Sequence, residues 1–307
     1  MDPRSPRGIP LGLHIRRGLA AGLPAAVVLA LLAGCATGSA DQPEPSASAP
    51  VATEEPEETP TVTPIETPAG ETVTASIYYP LDTRTGFRLG REAREVPAAD
   101  ALVGAVETMI AGPLDPDYGA VWNAATDVQG VSGVVGGVVT VDLSADARTA
   151  NVGSALAGLM IQQLVYTVTD AARDPSLAVM LTINGEPAGE LWGAVTWDAP
   201  VTRDDPNSVR MFVQIDNLTE GATVSSPVTV SGEASAFEAN VPWKVLDANG
   251  AEVASGATQT SEGQTFAPYS FEVELDPGTY TVVVTEDDPS DGEGGSPMSD
   301  SRRITVE

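Results

Sequence analysis

Carboxylates are the main chemical resource of this chain: 43 Asp and Glu stand against 15 Lys and Arg, with one cysteine (Cys35) and one histidine (His14) in 307 residues. Glycoside hydrolysis needs only two carboxyl groups at a suitable separation, so acid pairs are the first candidates for catalysis. None stands in a recognisable signature. Asp142, within Val141-Asp142-Leu143-Ser144, is the acid to test first, and its preferred reading is a strand-end acid capping a turn. The run Asp287-Asp288-Pro289-Ser290-Asp291-Gly292-Glu293 offers the oxygen ligands that a hard cation takes. It departs from the EF-hand spacing, with Pro289 third and Met298 twelfth, and reads instead as an acidic turn between two strands. No metal site is assigned. Trp122, Trp192, Trp197 and Trp243 could stack on sugar rings, but Trp192 and Trp197 would face opposite sides of a regular strand.

The N-terminus carries the one modifiable thiol. Arg4, Arg7, Arg16 and Arg17 are followed by an uncharged, mostly apolar run from Gly18 to Ala33, which ends in Leu32-Ala33-Gly34-Cys35. The run is too short for a membrane span of about 20 residues and has the basic-then-apolar order of an export signal. Small residues ahead of a cysteine resemble the lipobox of bacterial lipoproteins. That resemblance implies cleavage before Cys35, a lipid on its sulfur, and a mature chain tethered to the extracytoplasmic face of the cell membrane. An ordinary secretory signal with a coincidental cysteine is the alternative. With residues 1–34 removed, His14 is gone and Cys35 is blocked, so Cys–His nucleophilic sites and zinc sites built on Cys or His are excluded. Ser144 and Ser231 then have no imidazole to activate them, and no Gly-x-Ser-x-Gly elbow is present. The expectation is no catalytic residue, no enzyme activity and no cofactor.

Charge narrows the partners. Residues 1–34 hold four arginines and Asp2, so removing them leaves 11 basic and 42 acidic residues, a net charge near −31. Lys244 is the only lysine. So acidic a surface repels nucleic acid and anionic lipid head groups, and neither is expected as a direct ligand. Solubility or a salty habitat explains the excess without a functional acid patch.

Residues 35–70 are rich in Pro, Glu, Thr, Ser and Ala, with Glu54-Glu55-Pro56-Glu57-Glu58 at the centre. They carry too little apolar surface to offset ordering entropy and read as a disordered tether. As a flexible coil such a length spans roughly 30 Å. Residues 71–200 read as α/β: strands over 72–79, 87–96, 138–143 and 178–183, and helices over 98–111 and 154–172. Leu102, Ala105, Val106, Met109 and Ile110 form one helical stripe, and Leu156, Leu159, Met160, Leu164 and Val168 another. Asn184-Gly185 is a hairpin signal. The expected architecture is α+β, with two helices packed on one mixed sheet. From 207 to 307 the pattern turns all-β, with short alternating runs at 209–215, 228–232, 241–246, 270–275, 279–285 and 303–306. Trp243 stands mid-strand where an immunoglobulin-like sandwich places its core tryptophan. Asp276 to Tyr280 looks like a tyrosine corner, with Val282 where an antibody domain has its second cysteine.

The order of parts resembles a known pairing. Ile77-Tyr78-Tyr79-Pro80, Ile110-Ala111-Gly112-Pro113, Val139 to Ser144, Gln163 to Thr169 and Ile183-Asn184-Gly185 are similar to the GerMN domain. That domain occurs in sporulation and germination proteins and in lipoproteins of non-sporulating actinobacteria. Ser226 to Gly232, Ala236 to Val241 and, more weakly, Asp288 to Gly292 resemble the immunoglobulin-like domain of bacterial spore germination. The glycines at 130, 133, 136 and 137 exceed what the GerMN pattern leads one to expect, which leaves that loop's conformation open. The resemblance implies a non-enzymatic envelope protein that works by binding an envelope protein or itself. A cell-wall glycan binder is the rival. Phe237, Glu238 and Asn240, an aromatic beside polar residues on a loop, are the candidate interaction surface, against the alternative that Phe237 closes one end of the sandwich.

Overall fold

The computed structural model describes residues 70–288 and 293–307. Residues 1–69, which include Cys35, the expected export signal and the expected tether, lie outside the described residues, as do positions 289–292 of the acidic run. Strands β1 (Thr72–Thr83) and β2 (Gly86–Pro97) form an antiparallel hairpin paired along its full length. Helix α1 (Ala101–Ala111) follows and stops at Gly112, whose φ of 95° suits glycine. Then come β3 (Val128–Val131), β4 (Val138–Leu143), α2 (Ser154–Ala171), β5 (Ala178–Ile183) and β6 (Glu186–Pro187). These four strands make one mixed sheet in the order β3-β4-β5-β6, with β4 and β5 parallel and α2 as their crossover. A small hairpin, β7 (Gly189–Leu191) and β8 (Val195–Trp197), closes the lobe.

The mixed α+β architecture with two packed helices is as read from the sequence, but the strands do not share one sheet. The β1–β2 hairpin stands apart because α2 lies between it and the mixed sheet, touching β1, β2, β5 and β8. The helix is therefore buried around most of its circumference and not along one stripe. Met160, Leu164 and Val168 join the core with Ile77, Val141 and Leu181. Leu159 and Tyr166 pack on Tyr78 and Leu89 in a second, smaller cluster. Two buried polar residues on α2, one turn apart, explain how the hairpin edge tolerates burial. Gln163 Nε2 donates to the Tyr78 carbonyl at 2.8 Å, and the Tyr78 amide donates to Thr167 Oγ1 at 3.2 Å. Helix side chains thus do the work of a missing neighbour strand.

The glycine-rich loop is a hairpin tip. Gly136 and Gly137 turn with φ of 59° and 80°, Val135 bridges to Val138, and Val134 and Val135 are left 53% and 75% exposed. Asn184 and Gly185 form the expected tight turn, with φ of 54° and 80°.

The second lobe opens with a short helix, α3 (Pro206–Val209), and continues with β9 (Val213–Ile215), β10 (Ala222–Val224), β11 (Val228–Ala234) and β12 (Asn240–Asp247). Strands β13 (Glu252–Gln259), β14 (Ala267–Val273), β15 (Gly278–Thr285) and β16 (Ser299–Val306) complete it. A five-stranded sheet, β10-β16-β15-β12-β13, faces a three-stranded one, β14-β11-β9. The strand expected from Val209 starts only at Val213, because Asp205 caps α3 by accepting from the Asn207 amide at 2.9 Å. The tyrosine corner is present: the Tyr280 hydroxyl donates to the Asp276 carbonyl at 3.0 Å, and Val282 is fully buried. Trp243 is not at the centre of the core. It packs at the margin, stacked on Phe271 at 4.5 Å with an interplanar angle of 6°. Both lobes belong to one compact unit.

Candidate functional site

The two lobes are joined by charges, the central ones buried. Along β16, Asp300, Arg302, Ile304 and Val306 share the inward face. Ile304 and Val306 enter the sandwich core, whereas Asp300 and Arg302 engage the first lobe. Arg302 donates through Nη1 to Asp115 Oδ2 at 2.6 Å and Asp300 Oδ1 at 2.7 Å, and through Nη2 to the Arg91 carbonyl and Tyr118 Oη, both at 3.1 Å. The Tyr118 hydroxyl donates to Asp300 Oδ1 at 2.7 Å, and the Ile215 amide donates to Asp300 Oδ2 at 2.7 Å. Arg302 is 1% exposed, Asp115 2% and Asp300 3%. Two carboxylates therefore share one guanidinium away from water, an arrangement that stands only because nearly every donor and acceptor has a partner. Glu92, itself buried, anchors the loop that delivers Asp115 by accepting from the amides of Leu114 and Asp115.

A second cluster lies beside the first. Arg91 grips Asp216 with two bonds, of 2.7 and 2.6 Å, and reaches Glu233 at 2.9 Å. Arg210 donates to the same Glu233 at 2.8 Å and to Gln214, which in turn donates to the Leu89 carbonyl at 3.3 Å. Burial works against the Glu233 anion, yet Arg91 and Arg210 hold its carboxyl below the ordinary value. At the hairpin tip, Arg84 pairs with Glu286 at 2.7 Å.

Burial lifts Asp115 to about 6, outweighing the Asp117 amide and Arg302, while Asp300 adds repulsion. Asp300 is raised too, again by burial. The sign follows from linkage: the folded Asp115 carboxyl holds its proton more tightly than the unfolded one, whose ordinary value is 3.8. Its contribution to stability is complete below that value and is lost as pH rises through about 6. A carboxyl-carbon NMR titration of Asp115 should show a midpoint near 6. A midpoint at the ordinary value would overturn this account.

The residues singled out in the sequence are scattered. Asp142 Oδ1 accepts from Thr182 Oγ1 and from the Gly185 amide, both at 2.8 Å, so this acid caps the β5–β6 turn. Trp197 is buried, Trp122 donates to Gln163 Oε1 at 3.1 Å, and Trp192 donates to the Ala147 carbonyl at 2.9 Å. Trp122 and Trp192 meet edge to face, with centroids 5.5 Å apart and an interplanar angle of 86°, while Trp243 stacks on Phe271, so the four tryptophans make no shared flat platform. Among the described residues no group of three or more acids, histidines or cysteines is placed to hold a metal. No described helix is long and apolar enough to cross a membrane. Phe237 opens a one-turn 3-10 segment, Phe237–Ala239, in which Glu238 takes a φ of 52°. It is 40% exposed, beside a recess of about 360 Å³ that Arg84, Asn207, Phe212, Gln264 and Glu286 also line. Glu238 is exposed and Asn240 half-buried.

Residues 76–189 match the family described as sporulation and spore germination, and residues 212–293 match the immunoglobulin-like domain of bacterial spore germination. Two regions of the chain are thus similar, in this order, to two domains of germination proteins. The sandwich match ends before β16, so Asp300 and Arg302 of the joint lie beyond it. Among solved structures, the first GerMN domain of the sporulation protein GerM from Bacillus subtilis is similar at 24% identity and a TM-score of 0.34, over 44% of this chain and all of that one. The tandem GerMN domains of the same protein are similar at 18% identity and a TM-score of 0.35, over 66% of this chain and 62% of that one. No curated protein matches.

Proposed function

We propose that this is a lipid-anchored envelope protein that acts without catalysis, as an interaction or assembly module on the extracytoplasmic face of the membrane. The observation that carries the reading is the buried joint: Arg302, Asp115 and Asp300 hold two germination-type lobes in one fixed arrangement. Fixed spacing between recognition surfaces is what an assembly module requires. Tight structural use of Asp142 and of the tryptophans favours binding over hydrolysis. Phe237, Glu238 and Asn240 are the first surface to probe, since Phe237 leaves apolar area in water beside a recess between the lobes.

A photo-reactive residue at Phe237 or at exposed Glu107 on α1, followed by mass spectrometry of captured material, tests the reading. Recurrent capture of one or two envelope proteins, or of a second copy, is expected; capture of wall glycan alone would shift the reading to a glycan binder. Amine cross-linkers suit this protein poorly, because Lys244 is its one lysine. Cys35→Ala is expected to abolish lipid labelling and to release the protein from the membrane fraction. Retention on the membrane would refute the anchor.

A further inference from the structure

A groove runs across the face where the two lobes meet, and its chemistry changes along its length. One end, about 210 Å³, is apolar and walled by Phe87, Pro80, Leu81, Val121 and Leu156. The other, about 440 Å³, is more polar and adds Thr83, Met211, Ser296 and Ser299. Leu81, Asp82 and Asp117 line both ends, so the apolar and polar halves meet at two carboxylates. Phe87 leaves 41% of its surface in water, an unfavourable exposure for an aromatic side chain. Asp82 is exposed, with no hydrogen bond or ion pair to its carboxylate among the described residues. Among the described residues the Asp117 carboxylate accepts from Ser301 Oγ alone, at 3.0 Å. The one cation in the wall, Arg84, is already paired with Glu286 at 2.7 Å. Two exposed carboxylates with no cation on them, beside an open apolar slot, make the groove complementary to a cation attached to something apolar.

We propose that this groove binds a short protein segment carrying one apolar side chain next to a lysine or arginine. The apolar side chain sits against Phe87, Leu81 and Leu156, and the basic one reaches Asp82 and Asp117. Because Met211 and Ser296 to Ser299 come from the second lobe and the other lining residues from the first, the groove exists only while the joint holds. The assignment refines the interaction reading above and rests on it for the expectation that the ligand is a protein.

The test uses residues 65–307, which form their own compact unit. A displayed pool of random linear peptides is selected on this protein and counter-selected on the double variant Phe87→Ala, Asp82→Asn. Both positions are exposed, so an unchanged urea midpoint should confirm that the variant is folded. The enriched peptides should share an apolar residue adjacent to Lys or Arg. A synthetic consensus peptide should lose roughly tenfold in affinity on Phe87→Ala. On Asp82→Asn it should lose a few-fold at low salt, with the difference shrinking as salt screens the pair. No enrichment over the double variant, or enrichment of acidic or purely polar peptides, would overturn the proposal. If the pool fails while cross-linking at Phe237 or Glu107 captures an envelope protein, the groove falls and the interaction reading stands.

Discussion

Arg302→Met lowers the unfolding free energy of residues 65–307 by about 3–5 kcal/mol, because two buried carboxylates lose their shared cation. Asp115 and Asp300 would remain 2% and 3% exposed, with Tyr118 and a few amides as their only compensation. Urea unfolding near neutral pH checks the value. The loss should be smaller at pH 4, where Asp115, lifted to about 6, is already protonated. Neutralising all three together, as Asp115→Asn, Asp300→Asn and Arg302→Met, should cost less than Arg302→Met alone, since no buried charge is then left unpaired. If Arg302→Met cost under about 1 kcal/mol, the level of an exposed ion pair, the buried joint described above could not be what holds the lobes.

Gly232→Ala should be comparably damaging for a steric reason. Gly232 sits on β11, the central strand of the three-stranded sheet, opposite Ile215 of β9 and Tyr269 of β14. The Tyr269 hydroxyl crosses over it to donate to the Gln214 carbonyl at 2.8 Å. An added Cβ would lie 1.8 Å from that carbonyl oxygen and 2.8 Å from the hydroxyl. The carbonyl oxygen is backbone and no side-chain rotation clears it, so β9 itself must move. Gln214 would then lose its grip on Arg210 and on the Leu89 carbonyl. The cost should reach about 3 kcal/mol or more, the upper range for overpacking. A thermal midpoint within a degree or two of the parent would contradict this packing.

Elements whose side chains keep one period are legible in the sequence. The α1 stripe, the alternation of β4 and β5, and the Asn184-Gly185 turn each carry a local signal that the tertiary structure leaves intact. Strand β13 was missed because it is an exposed edge with almost no inward apolar residue, so period two has nothing to mark. The joint was missed for a different reason: charged residues are assigned to the surface by default. A signal was nevertheless present in β16, where Asp300 and Arg302 fall on the same parity as Ile304 and Val306, the face a sandwich strand turns inward. Two opposite charges on core-facing positions imply a partner beyond the core. What no local pattern supplies is which partner, since Asp115 lies 187 residues away in a Pro-flanked loop. Phe237 could be placed on a loop but not on a particular wall, because the recess beside it is completed by Arg84 and Asn207 from distant segments.

The β1–β2 hairpin has a mechanical consequence. Its base, Thr72 paired with Pro97, receives the chain from residue 70, while Arg84, Leu89 and Arg91 toward its tip grip the sandwich. Tension between residue 70 and the second lobe therefore runs lengthwise along β1. The rungs of the ladder would bear that load together in shear, where a hairpin pulled apart at its open end yields one rung at a time. Gln163 and Thr167 add two cross-braces from α2 at Tyr78. The hairpin is built as a strut, and a pull on the chain would reach the sandwich through it before either lobe gave way.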